Sequence, residues 1–190
     1  MPACSDNTLR TNGCNINTNT NNNNCGLCGH MCAIGSTCAA GICNFVTNGD
    51  FETGDFTGWT LFDCAPTETH VLNLAQSGWN PQQGNYFART ICAVSVAYGG
   101  PATLQQTISG LTVGQTYTMT AYYNGFGRGT PDSVTFYVNG MAIASRINQG
   151  STNGWFLVTG SFTASATSAV FSFTFGDDPS ACGVDNIVIM

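Results

Sequence analysis

Val134-Thr-Phe-Tyr-Val138, then Asn139-Gly140, then Met141-Ala-Ile-Ala-Ser145, is the stretch on which the fold turns. Two alternating runs are joined by Asn-Gly, the pair best suited to a type I′ hairpin turn because both positions adopt positive φ. The turn fixes a register in which Val138 faces Met141 and Phe136 faces Ile143, and these four are expected on the buried side. Tyr137 projects to the other face, opposite Ala142.

The same period of two recurs on either side. Tyr117, Met119, Ala121 and Tyr123 share one parity, with Thr118, Thr120 and Tyr122 on the reverse. Phe156, Val158 and Phe162 fall together, as do Phe171, Phe173 and Phe175, and Ile187 with Ile189 closes the chain as a final strand. From Asn44 onward such runs are separated by Gly, Asn, Pro and Asp, and no segment reads as a long amphipathic helix. The expected fold class is all-β, an antiparallel β-sandwich over 44–190. A chain of 190 residues holds one such domain plus a short appendage.

Charge narrows the partners. The four basic residues are all Arg, and ten Asp and Glu bring the net charge to -6, which repels phosphate backbones, so nucleic acid is not expected. Ten Cys point to an oxidising compartment and hence to secretion or the cell surface. No apolar run approaches membrane-spanning length, and Met1-Pro2-Ala3 leads directly into the first Cys, so neither a membrane span nor a secretory leader is expected in these residues. No Asn-x-Ser/Thr acceptor occurs.

Seven of the Cys lie at 4, 14, 25, 28, 32, 38 and 43, among Asn-, Thr- and Gly-rich spacers with almost no aliphatic periodicity. Residues 1–43 are therefore a disulfide-rich N-terminal head. Cys25, Cys28 and Cys32 with His30 also make a usable tetrahedral zinc set, but the run of spacings suits a disulfide framework better. Seven Cys in the head and three beyond it, at 64, 92 and 182, are both odd numbers, so full oxidation requires a bridge between the two parts. Cys64 with Cys92 is favoured, leaving Cys182 for the head, although spacing alone leaves other connectivities open.

Two resemblances follow from these motifs. Asn24-Cys-Gly-Leu-Cys-Gly-His-Met-Cys32, Gly35-Ser-Thr-Cys38 and Gly41-Ile-Cys43 resemble stigma-specific-protein-like Cys-rich repeats, which implies a spacer or interaction knot. Asn48-Gly-Asp-Phe-Glu-Thr-Gly-Asp-Phe-Thr-Gly-Trp59 is similar to the opening of cenC-type carbohydrate-binding modules. Leu104-Gln-Gln-Thr-Ile108, Gly110 to Tyr117, Gly154-Trp155 and Val184-Asp185-Asn186-Ile187 fall where that family has its other signatures. This resemblance implies a jelly-roll, galactose-binding-like sandwich, with Trp59 and Trp155 in the core, and a polysaccharide as partner. The insertion from Cys64 to Asn85 departs from the pattern and carries its own Trp79.

A sugar ring packs its C–H bonds on aromatic faces, and its hydroxyls pair with amides. Tyr122 and Tyr137 are the leading ligand-binding candidates, expected diagonally across one face if the 125–132 loop pairs their strands. Trp79, Phe126 and Arg128 are expected at the rim, or Trp79 packs beneath its own loop. The resemblance also implies a structural calcium between Glu52 and Asp185, with Asp50 as a third ligand; alternatively Glu52 caps a turn and Asp185 accepts backbone N–H bonds. Glu68, Asp63, Asp132, Asp177 and Asp178 sit in turn-like contexts, and His70 is the one His of the sandwich, so catalysis is not expected. The competing reading is an adhesive or structural surface protein that self-associates on a sandwich scaffold. An aromatic groove favours sugar, and a Thr/Ser-covered face favours structure.

Overall fold

The computed structural model describes residues 16–64, 68–93, 100–125, 132–148, 154–176 and 181–190. Strands β1 (Thr37–Ala39) and β2 (Ile42–Asn44) form a hairpin in the head. The remainder contains β3 (Thr60–Phe62), β4 (Thr69–Asn73), a one-turn helix α1 (Leu74–Ser77), β5 (Tyr86–Thr90), β6 (Ala102–Ser109), β7 (Thr116–Gly125), β8 (Asp132–Val138), β9 (Met141–Asn148), β10 (Phe156–Thr163), β11 (Ser168–Gly176) and β12 (Cys182–Ile189). They build two five-stranded antiparallel sheets, ordered β10-β7-β12-β5-β4 and β3-β6-β11-β8-β9.

The period-two pattern explains why the sheets face one another. Tyr117, Met119, Ala121 and Tyr123 of β7 turn inward from the first sheet, and Phe171, Phe173 and Phe175 of β11 turn inward from the second. Phe136 stacks on Phe171 with ring centroids 6.2 Å apart, and Trp59 meets Phe173 edge-on at 5.4 Å. Trp59 is core as expected, and its Nε1 donates to the Asn48 carbonyl at 3.0 Å, so its one polar atom is satisfied.

The Asn-Gly hairpin forms, with φ of 50° at Asn139 and 78° at Gly140. Its register holds for only two pairs. Val138 faces Met141 and Tyr137 faces Ala142, but Phe136 then faces Ala144, because a bulge leaves Ile143 as an extra residue on β9. Met141 is 75% exposed rather than buried, since it sits at the tip of an edge hairpin where the partner sheet offers nothing to cover it.

A second correction concerns the tyrosines. β7 belongs to the first sheet and β8 to the second, so Tyr122 and Tyr137 project from opposite outer faces of the sandwich and do not share one surface. The chain changes sheets between these strands, a step that alternation within each strand cannot reveal.

In the head, disulfides join Cys25 to Cys38 and Cys32 to Cys43, and Cys28 is also disulfide-bonded. Oxidised sulfurs are not thiolate ligands, and His30 Nδ1 lies 2.7 Å from the Cys25 carbonyl, so the zinc set is not assembled. Cys64 pairs with Cys92 as favoured, and Cys182 is fully buried in β12. The three disulfides with both ends described stay within their own part of the molecule, so the bridge expected from Cys182 to the head is not among them.

The head is nonetheless docked on the sandwich. At the boundary, where β2 runs from the head into the sandwich, the Asn44 side chain donates to the Ile187 carbonyl at 2.9 Å and accepts from the Val46 and Ile189 amides, and Phe45 N–H donates to the Ile189 carbonyl. Gly35 and Gly110 meet backbone to backbone: a Cβ on Gly110 would lie 1.6 Å from the Ile34 carbonyl oxygen.

Candidate functional site

The outer face of the first sheet gathers the chemistry. Ala88 of β5 packs in the core, so its neighbours Phe87 and Arg89 point outward. Phe87 is nevertheless fully buried, because Trp79 stacks on it at 5.9 Å with planes 6° apart and Trp155 meets it edge-on at 5.5 Å. Trp155 is thus not a core residue between the sheets: it folds over the outside of the sheet, half-buried, with Nε1 donating to the Asn80 carbonyl at 2.9 Å. The Arg89 guanidinium lies 5.5 Å from the Trp79 ring centroid.

Local sequence explains how Trp79 is presented. Asn73 caps α1 by accepting from Gln76 N–H, and the Gln76 side chain accepts from Asn73 N–H, a closed capping box. Gly78 ends the turn at φ 74°, and Trp79 N–H donates to Ser77 Oγ at 3.0 Å. Capping signals in Asn73-Leu-Ala-Gln-Ser77 were available to find this turn, but four residues carry too little periodicity to mark a helix.

Trp79 and Trp155, with Gly78, Asn80, Gly154 and Asn124, enclose a recess of about 240 Å³. Asn124 is 3% exposed, and its Oδ1 has no hydrogen-bond partner among the described residues. An unmet buried acceptor carries a desolvation cost of about 1–3 kcal/mol. Two residues earlier on β7, Tyr122 stands in register between Leu157 of β10 and Asp185 of β12, on the same face. It lines a second cleft of about 340 Å³, between this face and the head.

The carboxylates expected at a calcium site hold the covering loop. Asp185 Oδ2 accepts from Gln82 N–H at 2.8 Å and Gln83 N–H at 3.2 Å, and its Oδ1 accepts from Asn186 N–H at 2.7 Å. Glu52 Oε1 accepts from Asn85 and Tyr86 N–H at 2.7 and 2.8 Å, close beneath Gly84, where φ is 68° and a Cβ would come within 2.4 Å of the carboxylate. Among the described residues Asp50 Oδ1 receives a long 3.5 Å bond from Glu52 N–H. Backbone N–H groups thus share the Glu52 and Asp185 oxygens that a calcium ion would need, and Asp50 lies beside Glu52. Burial holds the Asp185 carboxyl up at about 7, against the bonds from Gln83, Asn186 and Gln82, and the charge of Glu52 adds to the rise.

Tyr137 is on the other outer face, opposite Ser172 and Ala142, and Phe62 of β3, 51% exposed, lies on that face at its far edge. Phe126 and Arg128 lie outside the described residues, as do Asp177 and Asp178. Asp63 gives its oxygens to Thr69 and to the 68–69 backbone, and Asp132 is fully buried.

No family model matches the chain, so the two resemblances rest on their motifs. Halomucin from Haloquadratum walsbyi is 29% identical over 144 residues, which is 69% of this chain but only 2% of that protein. A CBM61 carbohydrate-binding module solved with β-1,4-galactotriose superimposes with a TM-score of 0.51 at 18% identity, over 77% of this chain and 97% of that one. The CBM22-1–GH10 structure of xylanase 10B from Clostridium thermocellum, solved with xylohexaose, gives 0.51 at 15% identity over 71% and 26%. A cyclase from Fischerella sp. TAU gives 0.56 at 15% identity over 76% and 94%. Binding modules and enzymes both stand among these neighbours, and the likeness shows the fold: an antiparallel β-sandwich.

Proposed function

We propose that this chain is a secreted, non-catalytic module that binds polysaccharide on the outer face of its first sheet. The observation that carries the reading is the recess between Trp79 and Trp155, which the buried Asn124 also lines. Indole faces pack the C–H side of a pyranose, and a buried amide oxygen accepts from a sugar hydroxyl. The likeness to the CBM61 module agrees with this assignment. The disulfides agree with an oxidising compartment, and no helix of the described residues is long and apolar enough to cross a membrane.

The test is a binding screen against soluble and insoluble polysaccharides with wild type, Trp155→Ala and Trp79→Ala. Removal of one stacking ring is expected to weaken binding about tenfold, corresponding to about 1–1.5 kcal/mol. Saturable binding that both variants leave unchanged would move the site elsewhere. Calcium on Glu52 and Asp185 would share these oxygens with the N–H donors, so melting with and without EGTA is a further arm, and identical curves remove calcium from the reading.

The second reading, a self-associating surface protein, is favoured by the apolar side chains the head presents to solvent: Leu27 is 73% exposed, Met31 69% and Ile34 91%. Failure to bind any glycan, together with concentration-dependent sedimentation, would put it first.

A further inference from the structure

The cleft of about 340 Å³ has one wall from each part of the molecule: Thr37 and Ile42 come from the head, and Tyr122, Leu157 and Asn186 from the sheet. We propose that the Cys-rich head is a ligand-binding element, and that this cleft takes a second segment of an uncharged oligosaccharide. The proposal rests on the sugar-binding reading and extends it to a part of the chain whose own resemblance implies only a spacer or an interaction knot.

Three observations carry it. The first is size, since the volume lies in the range of sites that hold small organic ligands. The second is chemistry. Ile42 and Leu157, 44% and 51% exposed, line the cleft with the half-buried Tyr122 ring, and so do the side-chain amides of Gln83 and Asn186, which are joined by a bond from Asn186 Nδ2 to Gln83 Oε1 at 3.0 Å. Such a lining suits a molecule with C–H faces and hydroxyl edges. None of the described residues that line the cleft is Lys or Arg, and Asp50 contributes a carboxylate, so the lining disfavours uronate, sulfate or phosphate groups. The third is rigidity. The Asn44 bonds to β12 and the Gly35–Gly110 contact fix the head against the sandwich, so the cleft exists before a ligand arrives and ordering it costs little. Tyr122 and Asn124 are two residues apart on one strand face, about 7 Å, so a chain of a few sugar units reaches from the tryptophan recess into the cleft.

The experiment is calorimetric titration of the intact protein with neutral galacto-, xylo- and cello-oligosaccharides of two and of five units, and with an acidic oligogalacturonate. The variants are Ile42→Ala, which shortens the wall, and Thr37→Trp, which fills the cleft from an exposed position. Pentasaccharide is expected to bind tighter than disaccharide in wild type. Each variant is expected to lose about fivefold on the pentasaccharide and nothing on the disaccharide, with melting unchanged. Pentasaccharide binding that neither variant alters, yet is lost in Trp155→Ala, overturns this proposal and leaves the sugar-binding reading standing. Tighter binding of the acidic oligomer overturns its chemistry. No binding of any sugar by wild type sinks both.

Discussion

The two outer faces of the sandwich are cut from the same kind of strand and carry different things. On the second sheet, Ser133, Thr135 and Tyr137 of β8 lie beside Ser172 and Thr174 of β11, with Thr103 and Gln105 of β6 beyond them, and Val170 and Phe62 are among its exposed apolar members. On the first sheet, loop 78–85 and Gly154-Trp155 lie over the strands, and two indoles, Asn124 and the head now stand where a plain polar face would otherwise be. Strand alternation builds both faces equally well. What differs is whether a loop returns over the sheet and finds something to grip, and the grips are Asp185 and Glu52.

Removal of the ring beneath the indoles should separate the faces most sharply. Phe87→Ala and Phe136→Ala are each expected to cost about 3–5 kcal/mol in urea melts, but among molecules that remain folded only Phe87→Ala should lose glycan binding. Equal loss of binding in both would break the contrast.

The loop clamp supplies a smaller, pH-dependent effect. Asp185 titrates near 7 in the fold against 3.8 ordinarily, so the folded chain keeps a proton that the unfolded chain has released. Its contribution therefore makes the protein less stable as pH rises from about 4 to 7, and the deficit is complete above 7. Asp55, held low by Thr57 and Thr53, acts in the opposite sense and only below its ordinary range. Melting temperature in EDTA is expected to rise as pH is lowered from 8 to 5, and Asp185→Asn should flatten the slope. A wild-type slope of the reverse sign would remove Asp185 as the source.

The smallest effect is expected on the plain face. Tyr137→Thr should change stability by no more than about 0.5 kcal/mol and leave binding intact; a weakened titration would give the second sheet a share of the site.

Much of the fold was legible because burial imposes a period of two on any strand that faces a core, and Phe171, Phe173, Phe175, Tyr117 and Met119 obey it. The Asn-Gly turn was legible from backbone sterics alone. Met141 was misplaced because the bulge at Ile143 and the reach of the partner sheet are not local properties. Tyr122 was correctly set outward, but its pairing with Tyr137 failed because alternation gives a side and not a sheet. The Gly154-Trp155 motif points Trp155 to the core, whereas its place is fixed by a hydrogen bond to Asn80, 75 residues away in sequence.

By itself, then, the sequence determined an oxidised, acidic, all-β chain with a small disulfide-rich head, since composition, cysteine count and strand period are written residue by residue. Only the tertiary structure decided which aromatics share a face, that Glu52 and Asp185 grip backbone N–H groups, and that the head walls a cleft. Those outcomes depend on contacts between residues far apart in the chain, and no local pattern carries them.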